Sequence, residues 1–354
     1  MASTPLVLAL DRGLFCPLGD FWIDPWRPVG RAVITHAHAD HLRPGCGSYL
    51  LARPGLGLAR ARLPQDARVE TVDYGQRVVI NGVHVSLHPA GHVLGSAQVR
   101  IEHRGEVWVV SGDYKLDPDP TCDPFEPLRC HTFISECTFG LPVYRWPSAA
   151  SVAAELQQLR RRAAADGYAL LLGAYALGKA QRVLAMLGEA AGAVALHGAV
   201  ERITAAYRDG GIALPPTHAV AEFPRSHDWA GTLVIAPPSA LTGPWARRFG
   251  AAPRVLASGW MTVRGTRRRR GVDAGLVLSD HADWPGLRNA IDATGAQRVL
   301  LTHGHTGPLV RTLRQSGIDA DTLRTEYGGE DGSEEPAELS DIQPAQPDRA
   351  GIQP

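Results

Sequence analysis

The chain has 354 residues, 36 basic and 36 acidic side chains, 44% hydrophobic residues and five cysteines. That length suits one large domain or two, and the apolar share supports a sizeable buried core. No apolar stretch reaches the roughly 18 residues of a membrane helix, and an odd cysteine count without a C-x-x-C pair argues against a disulfide framework and against a cysteine zinc site, so a reducing cytoplasm is the expected location.

MASTPLVLALDRG (1–13) reads as a first strand, because it lacks the basic start and cleavage site of a signal peptide. The run AVI (32–34) reads as the end of a buried strand, and THAHADH (35–41) follows it at once. Alternate residues of a strand share a face, so His36 and His38 are expected to point together. Imidazole and carboxylate are common metal donors, and H-x-H-x-D-H after an apolar run points to a metal site rather than to a hydrogen-bonded polar loop. VVINGVHVSLH (78–88) reads as a hairpin about Asn81-Gly82, and VRIEH (99–103) with EVWVVSGD (106–113) as another about Arg104-Gly105.

From about residue 149 the period changes. SVAAELQQLRRRAAADG (151–167) is helical, YALLLGA (168–174) a strand, LGKAQRVLAMLGEA (177–190) a helix, and AVALHG (193–198) with VERITAAYRDG (200–210) repeats that order. TLVIAPP (232–238) and PRVLASG (253–259) read as further strands, so this block predicts a parallel sheet. From about residue 260 ligand-type segments return, in LSDHADW (278–284) and VLLTHGH (299–305). An α/β domain is therefore inserted into the first: residues 1–147 and 259–327 form one domain, 148–258 the insert, and 328–354 a disordered acidic tail.

Four further segments carry candidate ligands, each with a plainer reading as a turn or hydrogen-bonding loop residue. They are His92 in HPAGHVLGSAQV, Asp113 in VVSGDYK, His281 in LSDHADW and His303 in VLLTHGH. His303 is preferred to His305 because it follows the strand directly. Asp24 is read equally as a partner of a ligand histidine or as a turn residue before Pro25. The tail holds seven acidic residues and one arginine, so the rest of the chain carries a net charge of about +6, nearly all its cations being arginine. Such a body fits a phosphate-bearing partner. Arg264, Arg267 and Arg268, with Arg269 and Arg270, are candidate phosphate contacts, and Lys179 opens a helix that can hold a phosphate. Arg160, Arg161 and Arg162 are expected to be solvated, and Tyr144 and Trp146 either stack on bases or pack in a core.

The order H-x-H-x-D-H, His, Asp, late His resembles the ligand order of the metallo-β-lactamase fold superfamily. ISECTFG (134–140), SDHADW (279–284) and LTHG (301–304) resemble motifs A, B and C of its β-CASP nucleases, and AGHVLGSA (90–97) its third general motif. GDFWIDPWRPVGRAVITHAHADH, ECTFGLPVYRW and VLSDHADWPGL are similar to the bacterial ligase-associated DNA exonucleases, Artemis-like relatives encoded beside an ATP-dependent DNA ligase and a helicase. The resemblance covers residues 1 to about 327 and implies an α/β fold, a metallo-β-lactamase αββα sandwich with an inserted β-CASP α/β cap.

It also implies a metal-dependent DNA exonuclease of DNA repair, acting on single-stranded DNA or a free end through a water activated by two divalent metal ions. Zinc is the first expectation for the ions and manganese the second. His36, His38 and His92 would hold one ion, Asp40, His41 and His303 the other, and Asp113 would bridge them. Asp40, Asp113, Glu136 and His281 are the catalytic set, with His281 the general acid oriented by Glu136. His303 stands where RNA-cleaving relatives carry His and DNA-cleaving ones often carry Val, so motif C favours RNA and the longer stretches DNA. A β-CASP ribonuclease and a non-catalytic nucleic-acid-binding scaffold are the alternatives, with no membrane partner expected.

Overall fold

The structure, a computed structural model, describes residues 5–263 and 271–325. The arginines 264 and 267–270 and the acidic tail 328–354 lie outside the described residues. Among the described residues, three sheets account for the strands.

The first sheet runs in chain order from Leu8–Leu10 through Gly13–Cys16, Phe21–Ile23, Ala32–Val33 and Tyr49–Ala52 to Val69–Val72. Its first three strands pair antiparallel and its last four parallel. The second sheet has the order Asp319–Thr322, Arg298–Thr302, Thr132–Glu136, Glu106–Val110, Ala97–His103, Val83–Pro89, Val78–Ile80. Arg298–Thr302 is borrowed from late in the chain and lies parallel to Thr132–Glu136, with Glu136 opposite Thr302. Both predicted hairpins form, and Asn81-Gly82 and Arg104-Gly105 take the two successive positive φ angles that a tight hairpin turn requires.

The period-2 pattern explains the layers. Val83, Val85, Leu87, Val99, Ile101, Trp108, Val110 and Ile134 face Phe21, Ile23 and Val33 of the first sheet, making the core between the sheets. Val109, Phe133, Val299 and Leu301 point the other way and bury the helices Trp284–Thr294 and Thr306–Gln315. The outer face of the first sheet packs on the short helix Leu56–Arg60 and on Ile203 and Tyr207 of the helix Gly198–Asp209. This is an αββα sandwich with an inserted α/β unit, the architecture that the resemblance implies.

The third sheet is the insert. All its pairings are parallel, in the order His218–Ala219, Val194–Leu196, Leu233–Ala236, Leu170–Gly173, Arg254–Ala257, Ala274–Leu276. Helices Ala149–Ala165 and Lys179–Leu187 cover one face, and Trp229, Leu241 and Phe249 the other. Its edge strand Ala274–Leu276 lies past residue 258, so the boundary expected there falls inside this sheet. Sequence pattern missed that strand because it is three residues long and adds its ladder to a neighbour formed earlier. Arg160 is not simply solvated: its guanidinium donates to the carbonyls of Ala191, Ala193 and Gly231, tying the helix to two loops. No helix among the described residues is long and apolar enough to cross a membrane.

Candidate metal centre

Parallel strands of both sandwich sheets end at one rim, and the chemistry-bearing residues lie just past those ends, the usual place for a ligand site in such sheets. Ala32–Val33 is followed by the 35–41 loop, Glu106–Val110 by Asp113, and Arg298–Thr302 by His303, while Glu136 closes its own strand. His36 and His38 do not lie on a strand, since the ladder stops at Val33. Their convergence is made by a turn in which the amides of His41 and Leu42 bond the His38 carbonyl.

His36, His38, His92 and Asp113 form one tight group. His36 Nε2 lies 3.0 Å from His38 Nδ1, and His92 Nε2 3.1 Å from the same atom. Asp113 Oδ2 is 3.5 Å from His36 Nε2 and 3.7 Å from His92 Nε2. These nitrogens do not hydrogen-bond one another, because each ring has its proton on the far side. His38 Nε2 donates to the Leu177 carbonyl at 3.1 Å, and His92 Nδ1 to the Asp280 carbonyl at 2.9 Å. His36 Nδ1 donates to Thr35 Oγ1 at 3.0 Å, since that hydroxyl gives its own proton to Asp24 Oδ2 at 2.5 Å. Burial lowers the proton affinity of all three imidazoles, well below the usual range for His36 and His92. Three bare nitrogen lone pairs and a carboxylate therefore face one point. Ligands about 2.0–2.1 Å from a tetrahedral ion stand about 3.3 Å from one another, which the observed spacings bracket. The group fits a divalent cation, with nothing in it that identifies the element.

A second group is looser. His41 Nε2 lies 3.4 Å from Asp113 Oδ2 and 3.5 Å from Asp40 Oδ2, and the His41 and His303 rings are 6.1 Å apart. Asp40, His41, Asp113 and His303 line one cavity together with Asp24 and Thr302. The buried Asp40 Oδ1 lacks a hydrogen-bond partner, as a donor awaiting a cation would. Burial lowers His303, and burial would lower His41 too, but Asp40, Asp113 and Asp24 hold it well above the ordinary value. His303 sits at φ 58°, a left-handed backbone that costs a non-glycine residue energy and turns its side chain toward the cavity side of the loop.

Beside this cavity His281 Nδ1 lies 2.9 and 3.1 Å from the two oxygens of Glu136. Glu136 is 2% exposed and also accepts from the Tyr114 amide and the Thr138 hydroxyl. Burial pulls the His281 pKa down, but Glu136 and then Asp113 push it up to about 9. The ring is thus held in its charged form with Nε2 left for proton transfer.

Other expected contacts resolve differently. Lys179 is 5% exposed, 3.9 Å from Asp280 Oδ2 and over the Tyr175 ring at 4.3 Å. It does open a helix, but inside a joint between the insert and the sandwich, which corrects the expectation of a phosphate contact. Tyr144 is buried against Phe139 and Trp260, so packing is its role; Trp146 is half-buried in the same cluster and donates its indole N–H to the His281 carbonyl. Asp24 is hydrogen-bonded to a histidine of the second group: its carboxylate accepts from His41 Nδ1 at 2.7 Å, from the Thr35 hydroxyl, and from the Thr35 amide at 2.8 Å. Thr35 and Asp280 carry no sequence signal as partners of His36 and His92. A threonine between a strand and a histidine carries no distinctive signal, and the part of Asp280 that matters is its carbonyl.

No protein-family model matches the chain. It is 33% identical over 322 residues to a "Probable DNA ligase" of Opitutus terrae, covering 89% of this chain and 31% of that one. It is 35% identical over 124 residues to "Endoribonuclease YSH1" of Saccharomyces cerevisiae, covering 34% of this chain and 16% of that one. The chain thus spans about a third or less of the length of these curated relatives. A crystal structure of a protein of unknown function from Enterococcus faecalis V583 superposes with a TM-score of 0.55 at 12% identity over 84% of this chain and 80% of that one, a likeness of fold.

Proposed function

We propose that this β-CASP protein of the metallo-β-lactamase fold is a metal-dependent nuclease, and within that class a DNA exonuclease serving DNA repair. The observation that carries the reading is the convergence of three proton-free imidazole nitrogens on Asp113, with the charged His281–Glu136 pair at its side. In this reading His36, His38 and His92 hold one divalent ion, Asp40, His41 and His303 a second, and Asp113 both. Bound there, the pair would neutralise phosphate charge and supply an acidified water, zinc being the first choice and manganese the second.

The chain's own residues then do the rest. Asp113 Oδ2 faces both groups, 3.5 Å from His36 Nε2 and 3.4 Å from His41 Nε2, and a carboxylate can serve both ions, which one imidazole nitrogen cannot. Burial would raise its carboxyl, but His41 and His281 hold it well below the usual range, so it stays ionised. His281 gives the Nε2 proton to the leaving oxygen, while Glu136 fixes the ring through Nδ1 and supports its charge. Arg264, Arg267 and Arg268 are proposed to contact the strand's phosphates. The likeness to a probable DNA ligase supports a DNA substrate and a functional association with a DNA ligase; an associated helicase is proposed from the resemblance of the sequence motifs alone.

A second reading, an RNA substrate, is favoured by His303 at motif C and by the likeness to an endoribonuclease. The test is cleavage of matched DNA and RNA strands labelled in turn at each end, with added Zn²⁺ or Mn²⁺ and an Asp113→Ala control. Stepwise shortening of DNA, absent from the control, is the expected result. Preference for RNA would replace the DNA exonuclease by the second reading, and internal cuts in DNA would replace exonuclease by endonuclease action.

A further inference from the structure

The nitrogens that converge beside Asp113 in the three-imidazole group are bare only because the far nitrogens are occupied. Two of those occupants come from the joint between the insert and the sandwich. His38 Nε2 donates to the carbonyl of Leu177, just before the helix Lys179–Leu187 of the insert. His92 Nδ1 donates to the carbonyl of Asp280, in the loop that also carries His281.

That loop is held by the insert in turn. Arg182, on the same helix, donates from Nη1 to the Ser279 carbonyl at 2.7 Å. Its Nε lies 3.4 Å from Asp119 Oδ2, and Nη1 3.8 Å from Asp280 Oδ1. Lys115 of the sandwich donates to the same Ser279 carbonyl at 2.9 Å. Arg182, Lys115, Lys179, Asp119 and Asp280 are all buried. The chain has taken three cations and two carboxylates out of water here, a costly arrangement whose benefit is a single geometry. Gly178 marks how close the approach is: at φ +91° a Cβ there would stand 2.5 Å from Val93 Cγ1, beside His92.

We propose that the inserted unit is a working part of the metal centre, with Arg182 a positioning residue. It fixes the 279–281 loop, which holds the His92 tautomer and places His281, while the adjoining Leu177 carbonyl holds His38. The inference rests on the ligand assignment made above for His36, His38 and His92, and reaches past it to the segment that orients them. Since coupling is reciprocal, a bound cation must also tighten the joint. Partners of this kind usually alter metal affinity about 10–100-fold.

The test is zinc affinity by chelator competition in the full chain, in Arg182→Met, and in Arg182→Ala with and without added methylguanidinium, with circular dichroism to confirm folding. Zinc bound at least about tenfold more weakly by Arg182→Met, and restored in Arg182→Ala by methylguanidinium, is expected. A folded Arg182→Met with the parent's affinity overturns the inference and leaves the metal centre standing. A parent chain that takes up no metal overturns the ligand assignment, and the inference with it. Should the variants fail to fold, hydrogen exchange of the unmodified chain decides: amides of 177–182 and 279–281 exchange more slowly with zinc, and equal exchange refutes the coupling.

Discussion

Asp24→Asn tests how the two cation groups are tied together. One Asp24 oxygen accepts from the Thr35 amide at 2.8 Å; the other accepts from His41 Nδ1 at 2.7 Å and from the Thr35 hydroxyl at 2.5 Å. An amide keeps the first contact and turns a donor NH₂ toward the other two, which are also donors. The Thr35 hydroxyl must then rotate, and the proton it offers to His36 Nδ1 drives the His36 proton onto Nε2, the atom that faces Asp113. His41 loses its Nδ1 acceptor at the same time. One substitution therefore disturbs a histidine in each group, the tautomer of His36 and the Nδ1 partner of His41. Loss of an outer-shell partner weakens metal binding about 10–100-fold, or about 1.4–2.8 kcal/mol. The assay is chelator competition resolved into two binding steps, with circular dichroism to confirm folding. Both steps should weaken. Unchanged affinity, or weakening of one step alone, would refute the shared relay from Asp24.

His281→Ala should lower hydrolysis by about 10²–10⁴-fold, the usual worth of a general acid, with metal content by elemental analysis unchanged; loss of metal would make His281 a ligand. Glu136→Gln should move the alkaline limb of the rate–pH profile to lower pH. The acid form of His281, with a pKa raised to about 9 chiefly against burial by Glu136, is lost as pH rises through that value, and removing the carboxylate lowers it; an unmoved limb would separate the two residues functionally. Cations beside Asp113 act on His281 in the same direction as that substitution, so in the loaded protein the limb lies below 9. Acid should release metal from the Asp40/His41 side first: His41, held protonated by Asp40, Asp113 and Asp24, must shed a proton to bind, and affinity at about pH 6 should fall below that at about pH 8. Gly112→Ala should resemble Asp24→Asn, because a Cβ at Gly112 would stand 2.6 Å from Thr35 Cβ and displace the relay; parent-like metal affinity would show that Thr35 has room to give.

What the sequence reveals divides along a physical line. Hairpins at Asn81-Gly82 and Arg104-Gly105 were legible because their turns need residues that accept positive φ. The alternation of helix and strand in the insert was legible because each element buries one face. The clustering of His36, His38, His92 and Asp113 was legible because imidazoles and carboxylates in that order have few other uses, and the resemblance supplied the proposed grouping of the rest. The orienting atoms were hidden. The carbonyls of Leu177 and Asp280 exist at every residue, and only the fold brings them to His38 and His92. Lys179 is a related case: it opens a helix, as its sequence context implies, but its burial against Asp280 depends on a loop about a hundred residues further on.

The borrowed strand has a consequence for how the molecule comes into being. Thr132–Glu136 pairs on one side with Glu106–Val110, close in sequence, and on the other with Arg298–Thr302, which is made only after the whole insert. Until then a growing chain presents an open, apolar strand edge, the kind that seeks partners in other chains. Closing it requires a long-range contact, which slows folding. The same late strand delivers His303 to the rim. A truncated chain would therefore be sticky and would lack His303, the proposed ligand, so on the function proposed above the hazard of an incomplete product is aggregation rather than unguarded cleavage.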